Sequence, residues 1–208
     1  MPLTTIATAL TLSATLFATA GALPEPKAAR PVQPLVEVDE TAYAAADWPE
    51  HNKDLYAKDL QGQKLPVALG QETWLTEEQD LNGKVLVLDF WATWCGPCIA
   101  AGPKLAKAQK DGKGDVKVVA ISGQSEGVDK VRSYLDENEP KWIYLHDDEQ
   151  RVFAPFESRG IPLVVVLSTD GVIRWIGNPH AKEFGKAVSQ VVENDPMIKA
   201  LRAAKAGG

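Results

Sequence analysis

The apolar residues of this chain are unevenly spread. From about residue 65 onward they gather into short dense runs, separated by polar stretches that carry glycine or proline. Lys84-Val85-Leu86-Val87-Leu88-Asp89-Phe90-Trp91 is nearly continuous and follows the turn pair Asn82-Gly83. Runs of that kind are central strands covered on both faces. Residues 116–121 form a second such run, and residues 142–145 a shorter one. Residues 163–167 and 172–176 flank Thr169-Asp170-Gly171, and Asp-Gly between two strand-like runs predicts a hairpin. Helical spacing follows Cys95 to about residue 110, interrupted by Pro103, where a kink is expected. It returns over 128–137, 150–158 and 181–193, with a further stretch after Pro196. The order β-α-β-α-β-α-β-β-α predicts a mixed sheet with helices on both faces, parallel crossovers first and an antiparallel hairpin later.

The N-terminal part has a different pattern. Residues 1–26 hold no Lys or Arg, and their apolar residues lead to Ala18-Thr19-Ala20, which fits an A-x-A cleavage site. Residues 1–20 are therefore read as a secretory signal, with an uncleaved anchor or a cytoplasmic chain as alternatives. Pro24, Pro26, Pro31 and Pro34 mark a stiff linker, and residues 49–58 are expected to form a short helix without chemistry. Residues 21–59 are thus taken as linker and extension, 60–195 as the folded domain, and 196–208 as a C-terminal helix or tail. A net charge of −6 with no basic run argues against nucleic acid as a partner.

Trp94-Cys95-Gly96-Pro97-Cys98 holds the only two cysteines of the 208 residues. A staple closing so short a loop is worth on the order of 2 kcal/mol, against about 4.7 for a loop near 100 residues. The spacing suits a reversible redox couple instead. Zinc is disfavoured because His51, His146 and His180 are scattered without ligand spacing. Cys95, placed where a helix begins, is the expected nucleophile: free N–H groups and the dipole favour its thiolate. Cys98, one turn inside and expected to be the more buried, would resolve the mixed disulfide. Asp89 in an apolar run is costly to ionise, so its pKa should rise and it could exchange a proton with Cys98. The alternative for Asp89 is a strand-end carboxylate that reaches solvent.

A Cys-x-x-Cys where a strand gives way to a helix is the thioredoxin-like redox arrangement. The run from Asp89 to Cys98 resembles the active-site segment of the thioredoxin superfamily, and Arg159-Gly160-Ile161-Pro162 before a strand resembles its second signature. The stretch between residues 122 and 158, with the leader-like start, resembles secreted TlpA-like and ResA-like thiol–disulfide oxidoreductases. The resemblance implies an α/β thioredoxin fold with an inserted strand and helix before a cis-Pro162 strand. It also implies that Trp94, Gly96, Pro97, Ile161 and Pro162 form the substrate surface, with the Ile161 backbone free for β-addition, while Trp91 packs beneath. Gly177 is a weaker match to the groove. Trp142 and Trp175 are read as core or sheet-face residues. One position departs from the pattern: Ala101 stands where ResA-like chains carry a glutamate.

The activity expected is reduction of protein disulfides outside the cytoplasm, with no cofactor. Electrons would come from a thiol donor such as a membrane relay, and disulfide-bearing exported proteins would be the substrates. The Gly96-Pro97 pair favours a reductant; an oxidase or isomerase is the alternative. An AhpC-like peroxidase would need a Pro-x-x-x-Thr-x-x-Cys segment that the chain lacks, and a docking domain would have no use for the two thiols.

Overall fold

The computed structural model describes residues 36–207. The expected signal segment 1–20 and most of the expected proline-rich linker lie outside the described residues. Among the described residues six strands form one sheet: β1 (Thr73–Trp74), β2 (Val85–Phe90), β3 (Val116–Ser122), β4 (Ile143–His146), β5 (Leu163–Leu167) and β6 (Ile173–Gly177). Their order is β1-β4-β3-β2-β5-β6. β2, β3 and β4 run parallel, whereas β5, β6 and β1 pair antiparallel with their neighbours. β2, β3 and β4 thus need helical crossovers between them, and β5–β6 closes as a hairpin with Gly171 at φ +77°.

Alternation along β2 divides the core. Val85 and Val87 join an apolar cluster with Leu105, Phe184, Val188 and Val191, the helix residues of one layer. Leu88 and Phe90 join the opposite cluster with Leu60, Val152 and Phe156. Asp89 shares the pleat face of Val85 and Val87, so the strand directs its one carboxylate toward the helices that follow it.

Those helices are α2 (Gly96–Ala100) and α3 (Gly102–Asp111), two elements where the pattern predicted one interrupted helix. The chain breaks at Ala101, and Pro103 lies in the first turn of α3, where its missing N–H costs nothing. α4 (Val128–Glu137), α5 (Phe184–Asn194) and α6 (Pro196–Ala206) follow the expected periodicity. α6 begins at fully buried Asp195, whose carboxylate accepts from the Ile198 and Thr169 N–H groups.

Two expectations fail, and one strand was not expected. Residues 49–58 are not helical; α1 is the earlier Glu40–Ala44. The extension spends its hydrogen bonds across the fold. Asn52 Nδ2 donates to the Ile176 carbonyl, Lys58 N–H to that of Phe156, and Gln61 Nε2 to that of Pro49. Residues 150–158 form only a 3-10 turn at Ala154–Phe156, because Gln150 and Glu157 sit at φ +53° and +44° and break the helix on both sides. β1 was not foreseen: two residues carry no periodicity.

Candidate active site

Cys95 caps α2. Its Sγ accepts the Cys98 N–H at 3.2 Å, and the two sulfurs form a disulfide with Cα atoms 5.3 Å apart. The sequence placed Cys98 deeper than Cys95, but each is only 3% exposed. Burial does not distinguish the two sulfurs in this oxidised form; the N–H aimed at Cys95 does. Either side of the pair the surface turns apolar, with Trp94 54% and Ile99 45% exposed.

Asp89 lies behind the pair, between Ala120 on β3 and Val164 on β5. It does not reach solvent: the residue is 3% exposed and its Oδ1 has no hydrogen-bond partner. Burial pushes its pKa up to about 7. Asp89 and Cys98 share a cavity of about 170 Å³ with Trp91, Tyr134, Trp142 and Tyr144. The indole N–H groups of Trp91 and Trp142 are likewise buried without partners. Several unpaired polar atoms in one roomy cavity suit water as a proton carrier. Trp91 lies beneath the disulfide, its ring 5.5 Å from those of Tyr134 and Tyr144. Burial, then the charge of Asp89, raises the Tyr144 pKa, so that phenol remains neutral. Trp142 stacks on Tyr144, and Trp175 is core, set against Phe184.

The Ile161–Pro162 bond is cis. Ile161 packs against the cluster that contains Cys95 and Cys98, and its backbone N–H and C=O make no hydrogen bond among the described residues. The Pro162 carbonyl accepts from the Tyr56 hydroxyl, whose pKa burial pushes up to about 12. The extension, read from sequence as having no chemistry, therefore braces this loop. Gly177 owes its identity to packing: a Cβ there would lie 2.4 Å from Asn52 Nδ2.

Two residues at the site gave no local signal. The Glu126 carboxylate accepts from the Thr93 N–H at 3.0 Å and the Thr93 hydroxyl at 2.5 Å, while Trp94 Nε1 donates to the Gln124 carbonyl at 3.1 Å. The β3–α4 loop thus grips the segment before Cys95. His180, after β6, donates Nε2–H to the Pro97 carbonyl at 2.9 Å. Both partners are distant in sequence, which is why pattern reading passes over them.

Residues 39–193 match the Redoxin family. The chain belongs to it. It is 33% identical over 110 residues to the thioredoxin-like protein YneN of Bacillus subtilis, a stretch covering 51% of this chain and 64% of that one. It is 32% identical over 123 residues to the thiol-disulfide oxidoreductase ResA of Oceanobacillus iheyensis, covering 58% and 62%. These matches span a little under two thirds of either relative. A candidate protein disulfide isomerase from Bacteroides thetaiotaomicron has a similar solved structure, with a TM-score of 0.53 at 25% identity over 68% of this chain and 93% of that one. The sheet order and the crossover helices of this redoxin are those of a thioredoxin-like fold. Among the described residues, no helix is long and apolar enough to cross a membrane.

Proposed function

We propose that this redoxin is a thiol–disulfide oxidoreductase that reduces protein disulfides outside the cytoplasm. The observation that carries the reading is the Cys95–Cys98 disulfide at the start of α2, with partnerless Asp89 sharing the cavity behind Cys98. In the reduced enzyme the Cys95 thiolate attacks a substrate disulfide and expels one substrate sulfur, which takes up a proton. Asp89, ionised, accepts the Cys98 proton through cavity water. The Cys98 thiolate then attacks the Cys95 sulfur, releases the second substrate thiol and leaves the Cys95–Cys98 disulfide. Two electrons have passed to the substrate, and a donor dithiol protein returns them by the same exchange in reverse.

Trp94, Gly96 and Pro97 border the thiol, and the unpaired Ile161 backbone beside Pro162 offers a substrate strand a donor and an acceptor. The leader-like residues 1–20 support an exported location, where a membrane thiol relay is a fitting donor. The test is reduction of insulin by dithiothreitol with and without the full chain. Acceleration that disappears in Cys95→Ser is expected, and no acceleration by the parent chain overturns the reading.

A further inference from the structure

Gly96-Pro97 holds no side chain able to act on the thiols, yet the fold brings one to it. His180 Nε2 lies 2.9 Å from the Pro97 carbonyl oxygen. A carbonyl only accepts, so Nε2 carries the hydrogen. The backbone that carries this imidazole is held from several sides. The His180 N–H donates to Asn178 Oδ1 at 2.8 Å, the Ala181 N–H donates to the Asn178 carbonyl at 2.9 Å, and Lys104 Nζ on α3 donates to the His180 carbonyl at 2.8 Å. A loop secured at both ends thus aims one donor at one carbonyl in the first turn of α2. That carbonyl also accepts the Ala101 N–H at 3.2 Å, so His180 supplies an additional donor beyond the helical one.

The Pro97 C=O and the Cys98 N–H are the two ends of one peptide group, and the Cys98 N–H is the donor to Cys95 Sγ. Hydrogen bonding to a carbonyl oxygen draws electron density from its amide and strengthens the N–H at the other end. We propose that His180 is a positioning residue of the redox couple, stabilising the Cys95 thiolate through the Pro97–Cys98 peptide group. The effect runs His180 N–H to Pro97 O, then Cys98 N–H to Cys95 S. It also steadies α2, which has only five residues and cannot hold its own first turn. A more stable thiolate favours the reduced form, so His180 makes the couple more oxidising than its dipeptide alone.

This inference rests on the dithiol reading but has its own test, because alkylation needs no protein substrate. The full-length reduced chain is treated with iodoacetamide at neutral pH, alongside His180→Ala and His180→Gln. With His180→Ala, Cys95 alkylation should slow about two- to four-fold, the size expected when one hydrogen bond polarises the next. The potential in glutathione buffers should move about 9–18 mV more negative, that change in equilibrium constant at 29.6 mV per factor of ten. The Cys98 amide proton should shift upfield in a ¹H–¹⁵N spectrum. His180→Gln keeps an N–H and should restore at least half of each change. An unchanged rate in His180→Ala, with or without a lower Tm, makes His180 a loop anchor and overturns the proposal, as does equal slowing in His180→Gln. If insulin is not reduced by the parent chain, the enzyme reading fails and the thiolate effect still stands or falls on these rates.

Discussion

Asp89 faces two demands. As the one carboxylate on the inner pleat of β2 it burdens the fold, and in the proposed reaction it is the proton acceptor beside Cys98. Its pKa of about 7 means that the folded chain holds the proton while the unfolded chain releases it near 4. The unfolded state therefore binds fewer protons between about pH 4 and pH 7, and stability should fall as pH rises through that window. Asp89→Asn should remove this slope, leaving the variant more stable than the parent above pH 7, by at most about 4 kcal/mol, and little different below pH 4. Urea melts of both proteins across that range check the sign; parallel curves would show that the carboxylate finds water or a partner in the fold. Stopped-flow traces of Asp89→Asn should show slower resolution of the mixed disulfide, by up to about 10²-fold, with the first attack nearly intact. The sulfurs themselves give a second expectation. Since only Cys95 receives a backbone N–H, the reduced protein should be alkylated first at Cys95, and mass spectrometry finding Cys98 modified first would reverse their roles.

α2 is too short to persist by helix propensity, so its geometry depends on neighbours that hold its N-terminal end: His180 beyond β6 and the β3–α4 loop. That loop turns sharply at Gly123, φ +134°, where a Cβ would fall 2.0 Å from the Asp147 carbonyl oxygen. Gly123→Ala should therefore destabilise the fold by about 2 kcal/mol or more, from the backbone conformation together with the clash. It should also loosen the grip of Glu126 on Thr93, and a denaturant melt with Trp94 fluorescence reads both effects. The elements that pattern recovered are the ones whose signal is local. The apolar runs of β2, β3 and β5 declare strands buried on both faces, and Asp170-Gly171 declares the hairpin. Asp89 was readable for the same reason, as a charge inside such a run. What escaped was set by partners far along the chain. Residues 49–58 have helical spacing, but the Lys58 N–H goes to the Phe156 carbonyl and the Tyr56 carbonyl to the Arg159 N–H, and β1 exists only because β4 offers it an edge. Glu126 and His180 are ordinary loop residues until the sheet brings the Thr93 N–H and the Pro97 carbonyl to them.

Residues 36–59 pack onto the sheet instead of trailing from it. The Tyr43 hydroxyl lies 2.8 Å from Thr169 Oγ1, Arg174 stacks over Trp48, and Tyr56 reaches the Pro162 carbonyl. The extension therefore braces the loop carrying Ile161, while the other contacts of the site come from α2 and from the loops after β3 and β6. A couple held this way from several sides should have one well-defined potential, set chiefly by what lies between the thiols. Gly96-Pro97 places no ionisable side chain there, so the disulfide should not be strongly destabilised. His180 moves the balance only slightly, because it acts through a peptide group. The potential should accordingly fall nearer the thioredoxin end of the range, at roughly −270 to −200 mV, than the approximately −120 mV of a strong oxidant. In an oxidising compartment such a couple stays reduced only while a donor resupplies it, which is why a thiol relay belongs with this reading. Equilibrating the full chain in glutathione buffers and counting free thiols measures the potential directly. A value near −120 mV would make the disulfide the form that acts, with electrons leaving the substrate, and the protein an oxidant of newly exported chains.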